Sequence, residues 1–338
     1  MKLGIVPDMH MQEKLGYADY IEDGRNLERK MILDFIVASL SDCDSIIFMG
    51  DQFHSRNNTS KVIKEFVQFL GRFEGKKIYM LAGNHDKTGD GKSAIDFLKE
   101  IKNKPNWFIV TDEIYTQGSL TFCPYFTKAE LNAKNDKEGI VKIMGSLKGG
   151  NILFHHFAMS DTKTISGIDT NLFHEVVLPR KELENRYNLV VGGHIHSPHK
   201  YGKSIVSGSV FNNEVGEIEK FIWKIDADTF DIEQIKLPGR GIYGLENPIL
   251  EELNALPKDS IVKVTLTDAN RKDDVQEIKE CLKRFDAYLL LEKYPNQREK
   301  LHFDDGMLEF PVEKLLEVYA SEKKVDINKL KFAWELIK

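Results

Sequence analysis

Along residues 1–237, short apolar runs alternate with stretches of helical period. Residues 2–6, 45–49, 77–81, 151–154, 188–191, 204–207 and 221–225 are brief, rich in branched or aromatic side chains and bounded by polar or glycine-containing junctions, which predicts strands. Between them, Leu27, Met31, Phe35 and Ala38, and then Val62, Phe66 and Leu70, recur near every third or fourth position, which predicts amphipathic helices. The alternation is that of an α/β domain.

The pattern breaks at Pro238-Gly239-Arg240-Gly241, a cluster of turn formers that places a domain boundary there. Beyond it, residues 242–304 read as a small α+β domain. It has a strand at 261–266, a helix with Val275, Ile278, Leu282 and Phe285 on one face, and a strand at 288–290. Residues 305–338 offer two short amphipathic helices, with Val312, Leu315, Leu316 and Tyr319 on one and Ile327, Leu330, Trp334 and Ile337 on the other. Such stripes either pack on their own domain or dock on a partner.

Composition narrows the class. With 41% hydrophobic and 30% charged residues in 338, the chain can bury a core and has no signature of disorder. Its apolar runs are too short to span a bilayer, and the one at Leu3 is too short for a signal peptide, so a cytoplasmic protein is expected. Cys43, Cys123 and Cys281 are odd in number and far apart, which suits reduced structural thiols rather than a disulfide framework. A net charge of −6 means that any contact with nucleic acid must use local patches or metal ions.

Reactive residue types gather where strands are expected to end, as they do in open α/β sheets. Asp8-Met9-His10 follows the first strand, Gly50-Asp51 the second and Gly83-Asn84-His85-Asp86 the third. Later come His155-His156 and Gly193-His194-Ile195-His196. Aspartate and neutral histidine suit Mn²⁺, Fe or Zn²⁺, whereas Mg²⁺ leans more on oxygen ligands. Two such ions, about 3.5 to 4 Å apart, stabilise both the attacking and the leaving oxygen of an in-line displacement at phosphorus. A spacing of two aligns Asp8 with His10 and His194 with His196 in extended backbone, and the preceding glycines permit sharp turns. His155 and His156 point to opposite faces of a strand, so only one of them serves readily as a ligand.

Taken in order, these five motifs resemble those of the calcineurin-like metallophosphoesterases. The resemblance implies a two-sheet sandwich flanked by helices and two divalent metal ions. Asp8, His10, Asp51 and His196 would hold one ion, and Asp51, Asn84, His155 and His194 the other, with Asp51 shared. His85 would stay outside the metals and protonate the leaving oxygen or stabilise the transition state.

Three further features are similar to the SbcD-type nuclease subunits of DNA break repair, a group that includes the meiotic-recombination-eleven nucleases and phage recombination exonuclease subunits. They are His54 closing Gly50-Asp51-Gln52-Phe53-His54, the segment Ser207-Gly208-Ser209-Val210 with its closing strand, and the appended α+β domain, which resembles a DNA-capping domain. This likeness implies a Mn²⁺-dependent DNA exonuclease or endonuclease, with Mg²⁺ or Fe²⁺ as other ions. It further implies a homodimer joined to an SbcC-type, SMC-like ATPase in a heterotetramer, which the tail helices would contact. A phosphatase or cyclic-nucleotide phosphodiesterase, and a scaffold without catalysis, are the other readings.

Some residues stay open at this level. His54 either touches substrate or faces solvent; Asp86 either orients His85 or caps the next segment. Arg56, Lys61 and Lys64 form either a basic edge beside the site or a solvated helix face. Gly89-Asp90-Gly91-Lys92-Ser93 imitates a phosphate-binding loop, but Asp86 stands where the first glycine is needed, so Lys92 is read as solvated or near a DNA phosphate.

Overall fold

Each apolar run expected as a strand forms one, with ends shifted by a residue or two, as in Ser45–Phe48, Gly150–His155, Tyr187–Gly192 and Ala287–Glu292. The computed structural model describes residues 1–21, 23–88, 92–101, 104–164, 167–173, 175–268, 274–285, 287–293 and 326–327. Trp107–Val110, Tyr115–Gln117, Leu120–Cys123 and Ile232–Lys236 were not foreseen. They are short, and the last is a half-exposed edge strand with charged residues in it.

The strands form two sheets of six. One runs, in spatial order, Ile232–Lys236, Phe221–Asp226, Lys2–Val6, Ser45–Phe48, Lys77–Leu81 and Trp107–Val110, and its last four strands are parallel. The other runs His199–Tyr201, Ser204–Val206, Tyr187–Gly192, Gly150–His155, Leu120–Cys123 and Tyr115–Gln117, parallel through its four central strands. The sheets face each other across one apolar layer that takes Leu3, Ile5, Ile47 and Leu81 from the first and Phe122, Ile152, Phe154 and Val191 from the second. Stacked rings continue through it, Tyr79 lying 4.8 Å from Phe108 and 4.5 Å from Phe122, and Phe122 5.2 Å from Phe154. Helices Asn26–Ser39 and Ser60–Gly71 cover the outer face of the first sheet, and Asp136–Ser146 and Arg180–Arg186 that of the second. This is the expected helix-flanked two-sheet sandwich.

The first helix lies differently from its expected face. Ile32, Leu33 and Ile36 are buried, whereas Leu27 and Met31 are 71% and 46% exposed. The buried stripe also takes in Glu28 and Arg29, which read as solvent-facing in sequence but are neutralised by partners. Arg25, wholly buried, donates to both Glu28 carboxylate oxygens at 2.9 and 2.7 Å and to the carbonyls of Gly16 and Asn212 at 2.7 Å. Glu28 also accepts from the backbone N–H and side chain of Arg240, within the breaker cluster.

After that cluster, Ile242–Glu246, Ile261–Leu266 and Ala287–Glu292 form a parallel three-stranded sheet, with helices Leu250–Ala255 and Val275–Leu282 between them. Ile242, Ile261 and Ala287 pack against Tyr17 and Ile21. The helices expected at 305–338 lie outside the described residues, apart from residues 326–327. Cys43 and Cys123 are buried free thiols, and Cys281 is half-buried and free.

Replacing Glu28 with Gln would strand the Arg25 guanidinium, for which the expected cost is about 3 kcal/mol, read as a lowered urea midpoint. Burial opposes the charged form of Glu28, but Arg25 and then Arg240 hold its carboxyl below the ordinary glutamate range. The stabilisation is therefore complete above that range and lost as pH falls below it. The gap between wild type and Glu28→Gln should be full at neutral pH and close in acid. A pH-independent gap would contradict this account.

Candidate active site

Both sheets deliver their reactive residues at the carboxyl ends of parallel strands, so the loops that follow meet at one edge of the sandwich. Asp8 and His10 leave Lys2–Val6, Asp51 leaves Ser45–Phe48, and Asn84 and His85 leave Lys77–Leu81. From the second sheet, His156 leaves Gly150–His155, and His194 and His196 leave Tyr187–Gly192.

Two donor sets that include a carboxylate converge there, and a third grouping, without one, brings His10, His54 and His85 equally close. In the first, one ligand atom each from Asp8, His10 and His196 lies within 4.8 Å of the others. His10 Nε2 is 2.9 Å from His196 Nε2 and 3.6 Å from Asp51 Oδ2. In the second, Asp51, His156 and His194 are grouped equally closely. Asn84 Oδ1 sits between the two rings, 3.0 Å from His156 Nε2 and 2.9 Å from His194 Nδ1, while Asp51 Oδ2 is 3.3 Å from His156 Nε2. Asp51 thus lies beside both sets.

The backbone that achieves this is not the extended one expected from the spacing of two. His10, Asp51 and His194 hold φ of 45, 46 and 76°, the left-handed region that side chains other than glycine rarely enter. Such strain costs on the order of 1–3 kcal/mol per residue and gathers at functional sites. Close packing also explains two glycines: a β-carbon on Gly83 would lie 2.0 Å from Asp51 Oδ1, and one on Gly50 2.1 Å from His156 Nδ1.

His155 is not in the cluster. The strand that carries it alternates, and His155 shares the face of Leu153, toward the outer helices, whereas His156 shares the parity of Ile152 and Phe154, toward the other sheet. Burial, and then the charges of His156 and His194, push His155 down to about 3, so its ring is neutral. Its Nδ1 accepts from the Phe157 N–H at 3.3 Å, and its Nε2 meets no hydrogen-bond partner among the described residues. His156 replaces it in the converging set.

The other expectations divide. His85 stands next to the cluster, its ring 4.8 Å from that of His10, and its Nδ1 donates to the His54 carbonyl at 2.8 Å. His54 is exposed and, with Arg56, Asn84 and His85, lines an open cavity of about 440 Å³. Asp86 does not bond the His85 ring: it is buried and accepts the backbone N–H of Gly83, Gln52 and Phe53, tying together the loops that follow two strands. Burial and the nearby Asp51 raise its carboxyl to about 7. Lys92 is exposed and does not line the cavity; residues 89–91 beside it lie outside those described. Lys61 and Lys64 occupy the solvent face of Ser60–Gly71.

The donor set suits cations. Asp8 and Asp51 are 0% and 1% exposed, and Asp8 Oδ1 has no hydrogen-bond partner among the described residues. Burial, and then Asp51, raise Asp8 to about 6, against the opposing pull of His156. Burial works against charge on His156 too, but Asp51 and Asp8 draw it up to about 10, so a proton there stands in for positive charge. Burial keeps His10 neutral, its pKa well below the usual histidine value, and a neutral ring has the free lone pair that ligation needs.

Behind the cluster stand residues the sequence did not flag. Glu175 Oε1 accepts from His194 Nε2 at 2.8 Å. The buried Glu217 places Oε1 3.5 Å from His196 Nδ1 and 2.6 Å from the buried Lys220 Nζ. Neither glutamate belongs to a motif or shares a strand end with its histidine, so pairing by sequence position gives no signal.

Comparison with known proteins identifies the family. The family described as calcineurin-like phosphoesterase matches residues 1–198. The DNA double-strand break repair protein Mre11 of Archaeoglobus fulgidus is 22% identical over 318 residues, covering 81% of this chain and 70% of that protein. A solved structure described as a novel archaeal phosphodiesterase is 16% identical, covers 70% of this chain and all of its own, and superposes with a TM-score of 0.36. Members of the family use divalent metals, and a match across more than half of the chain, through every strand that supplies a converging residue, makes this protein a calcineurin-like metallophosphoesterase.

Proposed function

We propose that this chain is a Mn²⁺-dependent DNA nuclease that hydrolyses phosphodiester bonds with two metal ions. The observation that carries the reading is Asp51, a buried carboxylate flanked by two donor sets, Asp8, His10 and His196 on one side and Asn84, His156 and His194 on the other. DNA as the substrate rests on the distant likeness to a protein named for double-strand break repair, and on the appended three-stranded unit, for which a small phosphoester would give no use. Among the described residues no helix is long and apolar enough to cross a membrane.

When bound, two divalent ions neutralise charge on the scissile phosphate and lower the pKa of water. The protein's own groups do the rest. The His54 carbonyl takes the Nδ1 proton of His85, fixing the ring so that Nε2 acts on the substrate in the cavity. There His85 protonates the leaving oxygen or stabilises the charge developing on it. Arg56 and His54, on the wall of that cavity, hold the adjoining phosphate and strand. Asp86 keeps the loops bearing Asp51, His54 and His85 in register through its three backbone hydrogen bonds. Action beside an SbcC-type ATPase, as a homodimer within a heterotetramer, belongs to the same proposal and rests on the sequence resemblance.

The direct test offers the purified protein and Mn²⁺ a labelled duplex, a single strand and a small phosphodiester. Cleavage of DNA is expected; fast turnover of the small ester with neither DNA cut would refute the nuclease reading. His85→Ser should retain its metal while losing about 10² to 10⁴ in rate, the range for a positioned acid. Loss of both ions in that variant would make His85 a ligand instead. His156→Ala should lose about one equivalent of metal and all activity, whereas His155→Ala should keep both ions and lose only stability. The reverse pattern would restore His155 to the site.

A further inference from the structure

The two donor sets are unequal in charge. One contains a carboxylate of its own, Asp8, beside the shared Asp51; the other has only Asp51, with the neutral amide of Asn84 and two imidazoles. From this asymmetry, and from the contact between Glu175 Oε1 and His194 Nε2, we infer that Glu175 is a positioning residue that supplies the second set with its missing negative charge through the His194 ring. The inference rests on the two-metal reading of the site.

The hydrogen bond decides which nitrogen is available. The His194 ring lies between two oxygens, Glu175 Oε1 2.8 Å from Nε2 and Asn84 Oδ1 2.9 Å from Nδ1; the carboxylate is the stronger acceptor and takes the Nε2 proton when a cation at the centre of the set takes the Nδ1 lone pair. A carboxylate behind a ligating histidine fixes its tautomer, orients the ring and makes its free nitrogen more basic. Glu217 stands behind His196 in the other set, but at a longer 3.5 Å, and its charge is already opposed by Lys220 at 2.6 Å. Charge there comes directly from Asp8. Among the described residues Glu175 has no cation in its ion pairs other than His194, and its side chain is 25% exposed, so it can be changed without emptying a buried pocket.

The consequence is selective. Removing the charge of Glu175 should weaken one metal equivalent and spare the other, since among the described residues its side chain bonds His194 and not Asp8, His10 or His196. The expected loss is about 10- to 100-fold in affinity for that equivalent, the range for outer partners of metal ligands.

The test is calorimetric titration of the whole 338-residue chain with Mn²⁺ alone, comparing wild type, Glu175→Gln, Glu175→Asp and His194→Ala, with thermal unfolding of each protein free of metal. Wild type should bind two equivalents. Glu175→Gln should keep one at wild-type affinity and bind the second 10- to 100-fold more weakly, Glu175→Asp should recover part of the loss, and His194→Ala should lose that equivalent outright, with unfolding temperatures unchanged in the glutamate variants. Two unweakened equivalents in Glu175→Gln, or equal weakening of both, would overturn the inference and leave the two-metal reading standing. A wild type that binds only one equivalent would overturn that reading, and the inference with it.

Discussion

Two carboxylates buried side by side set the terms for this structure. Asp8 and Asp51 are almost without solvent, and removing a charge from water costs several kcal/mol unless positive charge or hydrogen bonds compensate. Backbone N–H groups of His194 and His85 donate to them at 2.7 and 2.8 Å, which offsets part of that cost. The remainder calls for cations, and the ring nitrogens gathered around the pair are what would hold them. The left-handed residues and the glycines without room for a β-carbon follow from the same need: several loops must approach one point more closely than relaxed backbones with side chains would.

The sandwich makes that approach stable. Parallel strands in both sheets end on the same edge, so donors far apart in sequence arrive on rigid supports rather than on one flexible loop. Hydrogen bonds from outside the ligand set then fix how each ring is turned: the Met49 carbonyl takes His156 Nδ1 at 2.8 Å, Glu175 takes His194, and the His54 carbonyl takes His85. Each of these contacts selects one tautomer, and with it the nitrogen left for chemistry. Asp86 belongs to this support, since its hydrogen bonds among the described residues go to loop backbone and not to a ring.

How much of this could be read from the chain varies by element. Strands were legible because parallel strands buried on both faces are continuous apolar runs, and motifs at their ends carried the converging residues. The same burial hid the choice between His155 and His156: when both faces of Gly150–His155 are apolar, the sequence gives no parity, and only the opposing sheet shows which face looks inward. The face of Asn26–Ser39 was misread for a related reason, because Glu28 and Arg29 are charged yet buried, and although Arg25 stands three residues before Glu28, the partners Arg240 and Glu65 lie far off in sequence. Glu175 and Glu217 were invisible because hydrogen bonds from loop to loop leave no periodicity.

The central claim is that Asp51 joins two metal sites with His156, not His155, completing the second. Crystals of the protein grown with Mn²⁺ and measured at the manganese absorption edge test it most directly. The account predicts two anomalous peaks about 3.5 to 4 Å apart on either side of the Asp51 carboxylate, one touching His10 and His196 and the other His156 and His194. A single peak, or a second one bound by His155 with His156 turned away, would contradict it.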